Sequence, residues 1–150
     1  KTGPGIIKHF YGFQFTLGGI VSITGGDFET LNGFPNFWSW GYEDNELQRR
    51  ALANSITIDR SIYFPIFDDN IIQFHHGLLR EVNPVEKKRY TLNTTEGIVD
   101  IQHLQYTVEK DMIHVDHFTT GVIPTPNITY SITSGEPLKH IKRKMSMRIN

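Results

Sequence analysis

Asn32-Gly33-Phe34-Pro35-Asn36-Phe37-Trp38-Ser39-Trp40-Gly41-Tyr42-Glu43-Asp44 is the stretch on which the reading of this chain turns. Asn32-Gly33 ends a helix, because glycine tolerates the left-handed cap, and Pro35-Asn36 makes a turn. Glu43-Asp44 opens the run Glu43 to Ala53, whose acids fall in the first turn and whose arginines lie further along, as a helix dipole favours. Between the two helices stand two indoles within three residues and a hinge-capable Gly41. Sugar recognition needs such an apolar platform beside ionised carboxylates. Aromatic faces cover the C–H face of a pyranose, and a carboxylate accepts hydrogen bonds from hydroxyls and can take a proton during attack. The residues alone also fit a plainer role, with Trp38 and Trp40 as core anchors and Glu43-Asp44 as a helix cap.

Upstream, Gly18-Gly19-Ile20-Val21-Ser22-Ile23 reads as a short buried strand. Thr24 to Asp27 has capping-box spacing, with Asp in place of Glu, ahead of a short helix bearing Phe28 and Leu31. Downstream, Ser55 to Ile62 alternates Ile56, Ile58 and Ile62 with polar neighbours except at Arg60, the pattern of a strand at the edge of the core. Leu104 to Val108 and Ile113 to His117 alternate around Glu109-Lys110-Asp111-Met112, which predicts a β-hairpin. Short helices and strands together make an α/β or α+β domain.

The chain has 150 residues, one domain's worth, with Lys+Arg 15 against Asp+Glu 16. No global field therefore selects nucleic acid or a membrane surface. Ten Phe, six Tyr and two Trp supply a sizeable core. The absence of cysteine excludes disulfides, thiolate metal sites and cysteine nucleophiles. No apolar run approaches the ~18 residues of a membrane span. Residues 137–150 form a basic tail, leaving ten basic against sixteen acidic side chains before it. Its simplest reading is a solvated terminus. Asn93-Thr94-Thr95 and Asn127-Ile128-Thr129 are sequons that matter only in a secretory setting.

The central stretch resembles the β-1,4-galactosyltransferase family. That family carries a Gly-Gly-Val-Ser strand, a helix ending in Asn-Gly-Phe-Pro-Asn, and Trp-Gly-Trp-Gly-Gly-Glu-Asp-Asp. Here Gly18 to Ser22, Asn32 to Asn36 and Trp38 to Asn45 stand in the same order and nearly the same spacing. The similarity continues through Asn83-Pro84, Arg89-Tyr90 and Gly97-Ile98 to Val108, covering about residues 16–118. It implies a GT-A-type glycosyltransferase fold. The implied reaction is inverting transfer of galactose from UDP-galactose to O4 of a terminal N-acetylglucosamine, with manganese at the diphosphate.

By that resemblance Asp44 is the general base, Glu43 hydrogen-bonds the acceptor, and Gly19 lets the backbone approach it. Trp40 falls on the family's mobile loop, which closes over donor and acceptor. Gln73-Phe74-His75-His76 stands where the family has Met-X-X-His, so His76 is the implied manganese ligand and Gln73 replaces the Met with a harder donor. Read alone, His75-His76 is a solvent-facing pair. Three substitutions depart from the family. Asn45 replaces the second Asp of the motif. Tyr42 replaces a Gly, able to stack on a sugar or narrow the pocket. Thr16 replaces a donor-site Tyr, leaving room for UDP-N-acetylgalactosamine.

The family's Asp-X-Asp motif lies upstream of the Gly-Gly strand, where this chain has only seventeen residues, and Asp68-Asp69 lies on the wrong side. The expectation is the C-terminal, acceptor-binding part of a longer enzyme, without most of the nucleotide-binding half. The alternative is a non-catalytic carbohydrate-binding module that keeps only the acceptor site. A cellular member would sit in the Golgi lumen, and a viral or microbial one in a cytoplasmic setting.

Overall fold

The computed structural model describes residues 2–66, 68–72, 78–92, 94–126 and 128–132. Gln73, His75 and His76, the sequon asparagines Asn93 and Asn127, and the basic tail lie outside them. Within them the chain is a mixed α/β structure with a mixed sheet and few helices.

Strand β1 (Ile6–Gly12) is the centre of the main sheet, although its Lys, His and Gly hid it in the sequence. Strand β2 (Ile20–Ser22) pairs antiparallel with one edge of it. On the other edge β3 (Thr57–Asp59) pairs parallel with Ile6 to Lys8, and β4 (Phe64–Pro65) with Tyr11 and Gly12. The successive inward residues of β1 are Ile7 and His9, as a period of two requires. A register shift between His9 and Tyr11 then breaks the alternation. Two expectations change here. The Gly18–Ile23 strand is shorter and is not buried, since Ile20 is exposed. The 55–62 strand shrinks to three residues.

Helix α1 (Gly25–Thr30) starts as its spacing predicts: Thr24 Oγ1 accepts from Asp27 N at 3.1 Å. The Asp27 carboxylate, however, accepts from Gly5 N at 3.0 Å and from the Thr24 hydroxyl at 2.7 Å, so it ties the start of β1 to the helix instead of closing the box on the cap backbone. Asn32 and Gly33 both follow with φ near +58°. Helix α2 (Glu43–Ala53) has the predicted bounds and buries Leu47 and Ala51, one turn apart, against Ile7, Leu17, Leu31 and Ile56.

Helix α3 (Pro84–Thr91) was not anticipated, although Asn83 as N-cap followed by Pro at the first helical position is a start signal. Strands β5 (Leu78–Val82) and β8 (Ile128–Ile132) pair antiparallel, also unanticipated. The hairpin is present and longer than expected, as β6 (Ile101–Glu109) and β7 (Met112–Thr120).

Candidate functional site

The site forms where the start of α2 meets the turn between β1 and β2. Leu17 N donates to Asp44 O at 3.2 Å, and a Cβ on Gly18 would overlap Asp44 Oδ2. Gly18 is therefore the residue whose missing side chain admits the carboxylate. Asp44 Oδ1 accepts from Asn45 N at 2.9 Å, which fixes the carboxylate's plane. Gly19 has φ +89°, and a side chain there would strike the Tyr11 carbonyl. Its small size serves β1.

Two polar atoms flank Asp44 without a hydrogen-bond partner among the described residues: buried Glu43 Oε2 and Asn45 Oδ1. Burial pushes the Glu43 carboxyl up from its ordinary range, and the neighbouring Asp44 adds to this. Buried polar groups are normally paired, so two open acceptors beside one carboxylate mark a place where donors are wanted. Sugar hydroxyls and amides are such donors.

Beneath the Gly-Gly turn lies a network that sequence reasoning missed. His9 is fully buried; its Nε2 donates to the carbonyls of Tyr11 and Gly18, both at 2.9 Å, and its Nδ1 accepts from Arg60 Nε at 3.1 Å. Arg60 also donates to Gln48 Oε1 of α2 at 2.9 Å. Tyr63 packs edge-on to the His9 ring and donates to Gly12 O at 2.6 Å. Burial, and then the Arg60 charge, hold His9 below the usual imidazole range against its two carbonyl bonds and Asp44. Arg60 was the one break in an otherwise alternating strand, and that was the available signal.

The aromatic loop is exposed. Trp38 and Trp40 are 37% and 42% accessible, which overturns their reading as core anchors. Trp38 stacks on Phe118 of β7 at 6.2 Å. Tyr42 occupies the left-handed region, φ 75°, ψ −12°, at the start of α2 and caps it with no side-chain bond. For a residue with a Cβ that conformation costs about 1–2 kcal/mol. Its ring stacks on Tyr90 of α3 at 4.8 Å. Arg89 donates to Asn36 O at 3.2 Å and lies over the Phe37 ring.

Thr16 is 1% exposed, with Oγ1 accepting from Gly18 N at 3.3 Å, so it lies behind the glycine turn. The structure thus brings together Thr16, Gly18, Gly19, Glu43, Asp44 and Asn45, with Tyr42 at their edge. No cluster of three metal-ligating His, Cys, Asp or Glu side chains occurs among the described residues.

A family model described as the N-terminal domain of galactosyltransferase matches residues 8–76. Xylosylprotein 4-beta-galactosyltransferase of Caenorhabditis elegans is 30% identical over 98 residues, covering 59% of this chain and 32% of the relative. Beta-1,4-galactosyltransferase 6 of Rattus norvegicus is 30% identical over 111 residues, covering 71% and 27%. The chain belongs to the β-1,4-galactosyltransferase family. Beta-1,4-galactosyltransferase 5 of Homo sapiens is 38% identical over 56 residues, 35% of this chain and 14% of that protein. The chain thus spans about a third or less of the galactosyltransferases it matches. No solved structure matches it significantly. Among the described residues no helix is long and apolar enough to cross a membrane.

Proposed function

We propose that the chain is the acceptor-binding part of a GT-A-type inverting transferase that moves galactose or N-acetylgalactosamine from its UDP-sugar to O4 of a terminal N-acetylglucosamine. The observation that carries this reading is the seating of Asp44 against Gly18, with the unpartnered Glu43 and Asn45 oxygens on either side. Membership of a family whose named relatives are galactosyltransferases supplies the reaction class.

In this reading Asp44 Oδ2 takes the proton of the acceptor hydroxyl as that oxygen attacks the anomeric carbon and the nucleoside diphosphate departs from the opposite face. Glu43 accepts a hydrogen bond from the acceptor, and the Gly18–Gly19 backbone forms the floor of its site. Trp40, on an exposed loop, covers donor and acceptor and excludes water. Thr16 acts by the room it leaves for the donor's C2 substituent. Manganese belongs to the same proposal, with His76 and Gln73 as its ligands from this chain, and when bound it neutralises charge on the departing diphosphate. The Golgi lumen is the compartment that fits a cellular enzyme of this kind.

The test is UDP release from UDP-galactose with manganese by the complete enzyme that contains this chain, in the presence and absence of N-acetylglucosamine. Acceptor-dependent release that falls by at least about 10²-fold in Asp44→Asn, with acceptor affinity changed much less, is the expected result. An undiminished rate removes Asp44 from the role of base. Acceptor binding with no transfer at all favours a carbohydrate-binding module instead.

A further inference from the structure

The backbone at the start of α2 calls for a left-handed residue, and glycine would meet that demand without strain. A tyrosine stands there, so the reason for it lies in what its ring does. That ring is held face to face with Tyr90, at 4.8 Å and 20° between planes. Tyr42 is the N-cap of α2, directly before Glu43 and Asp44, so the pair stands at the helix end that carries the two carboxylates. The residue before Tyr90, Arg89, grips Asn36 O and the Phe37 ring. Two consecutive residues of α3 therefore hold both ends of the aromatic loop, and one of them sets the ring next to Glu43 and Asp44.

We propose that Tyr42 is an acceptor-binding residue whose ring stacks on the C–H face of the acceptor pyranose, and that Tyr90 is the positioning residue that holds it there. The inference rests on the acceptor-site reading above. The axial C–H groups of N-acetylglucosamine offer an apolar face to such a ring.

Calorimetric titration of the full chain with N-acetylglucosamine tests this, with folding of every variant checked by circular dichroism. Tyr42→Gly is expected to bind the sugar about fivefold more weakly, the worth of one ring stack. Tyr90→Leu should show the same loss, and Tyr90→Phe, which keeps the ring, should match the parent. Should Tyr42→Gly fail to fold, the two Tyr90 variants carry the test. An unchanged affinity in Tyr42→Gly, with the parent binding normally, overturns the inference and leaves the acceptor site standing. Parent-like binding by Tyr90→Leu removes Tyr90 from its role. A parent that does not bind the sugar overturns the acceptor-site reading and this inference with it.

Discussion

Glu43 carries a conflict: one carboxylate oxygen is buried with no donor among the described residues, and burial raises the pKa of the group. A raised folded pKa means the unfolded chain releases the proton first. Stability is then fullest below the ordinary value of 4.5 and is lost as pH rises through the folded pKa. At pH 7 the charge is therefore a net cost, and Glu43→Gln is expected to raise the melting temperature there, with the gain vanishing near pH 4. A variant that melts lower than the parent at pH 7 contradicts this account of Glu43. His9 works in the opposite sense. Its folded pKa lies below the ordinary 6.5, so its contribution is complete above that value and is lost as pH falls through the folded pKa. A second ring proton would face the Arg60 guanidinium. Melting curves at pH 7.5 and 5.5 should show an acid loss that is smaller in His9→Gln. An equal loss would clear His9. Glu43 and Asp44 were legible because they sit together in one motif. His9 was not, since its bonding partners are two backbone carbonyls and a guanidinium 51 residues away.

Among the elements, α2 could be read from its charge order alone, and the hairpin from alternation. Strand β1 could not, because its partners β3 and β4 come from distant sequence and fix as strand a segment whose composition is ambiguous. The side of α2 that meets the end of α1 is organised by the buried Arg50. Its Nε donates to Glu46 Oε1 at 3.0 Å, and its Nη1 donates to Asn32 O at 3.0 Å and Gly33 O at 2.9 Å, the carbonyls past the end of α1. Its Nη2 reaches the carbonyls of Thr94 and Glu96. One guanidinium thus joins α1, α2 and the 94–97 segment, and orients the loop that leads to Trp38. Arg50→Ala leaves Glu46 to Arg49 alone and the Gly33 carbonyl without this donor, which is expected to cost about 1–3 kcal/mol in denaturant unfolding. Arg50→Lys should recover little of it, because an ammonium cannot span the fork. Full recovery by lysine would show that charge alone matters there.

At the scale of the whole molecule, the buried apolar core is small, built on Ile7, Leu17, Leu31, Leu47, Ala51 and Ile56. It clamps α2 against β1 through Leu47, Ala51 and Ile7, next to the place where Asp44 meets Gly18. The hairpin stands apart from this core. Tyr106 faces Val115 and Val108 faces Ile113 on one exposed apolar side, and Phe118 reaches the aromatic loop by stacking on Trp38. The sequence showed the mixed α/β class and the motif order. It did not show the sheet order, because β1 takes its three neighbours from both sides of the motif, or the support from α3, which acts through contacts with residues about fifty positions away. The central claim is that Glu43 and Asp44 form a sugar-acceptor site on this chain. Calorimetric titration with N-acetylglucosamine tests it most directly. Saturable binding that Glu43→Ala abolishes while the fold is retained is the predicted result, and binding that survives Glu43→Ala unchanged, or no binding by the parent chain, contradicts it.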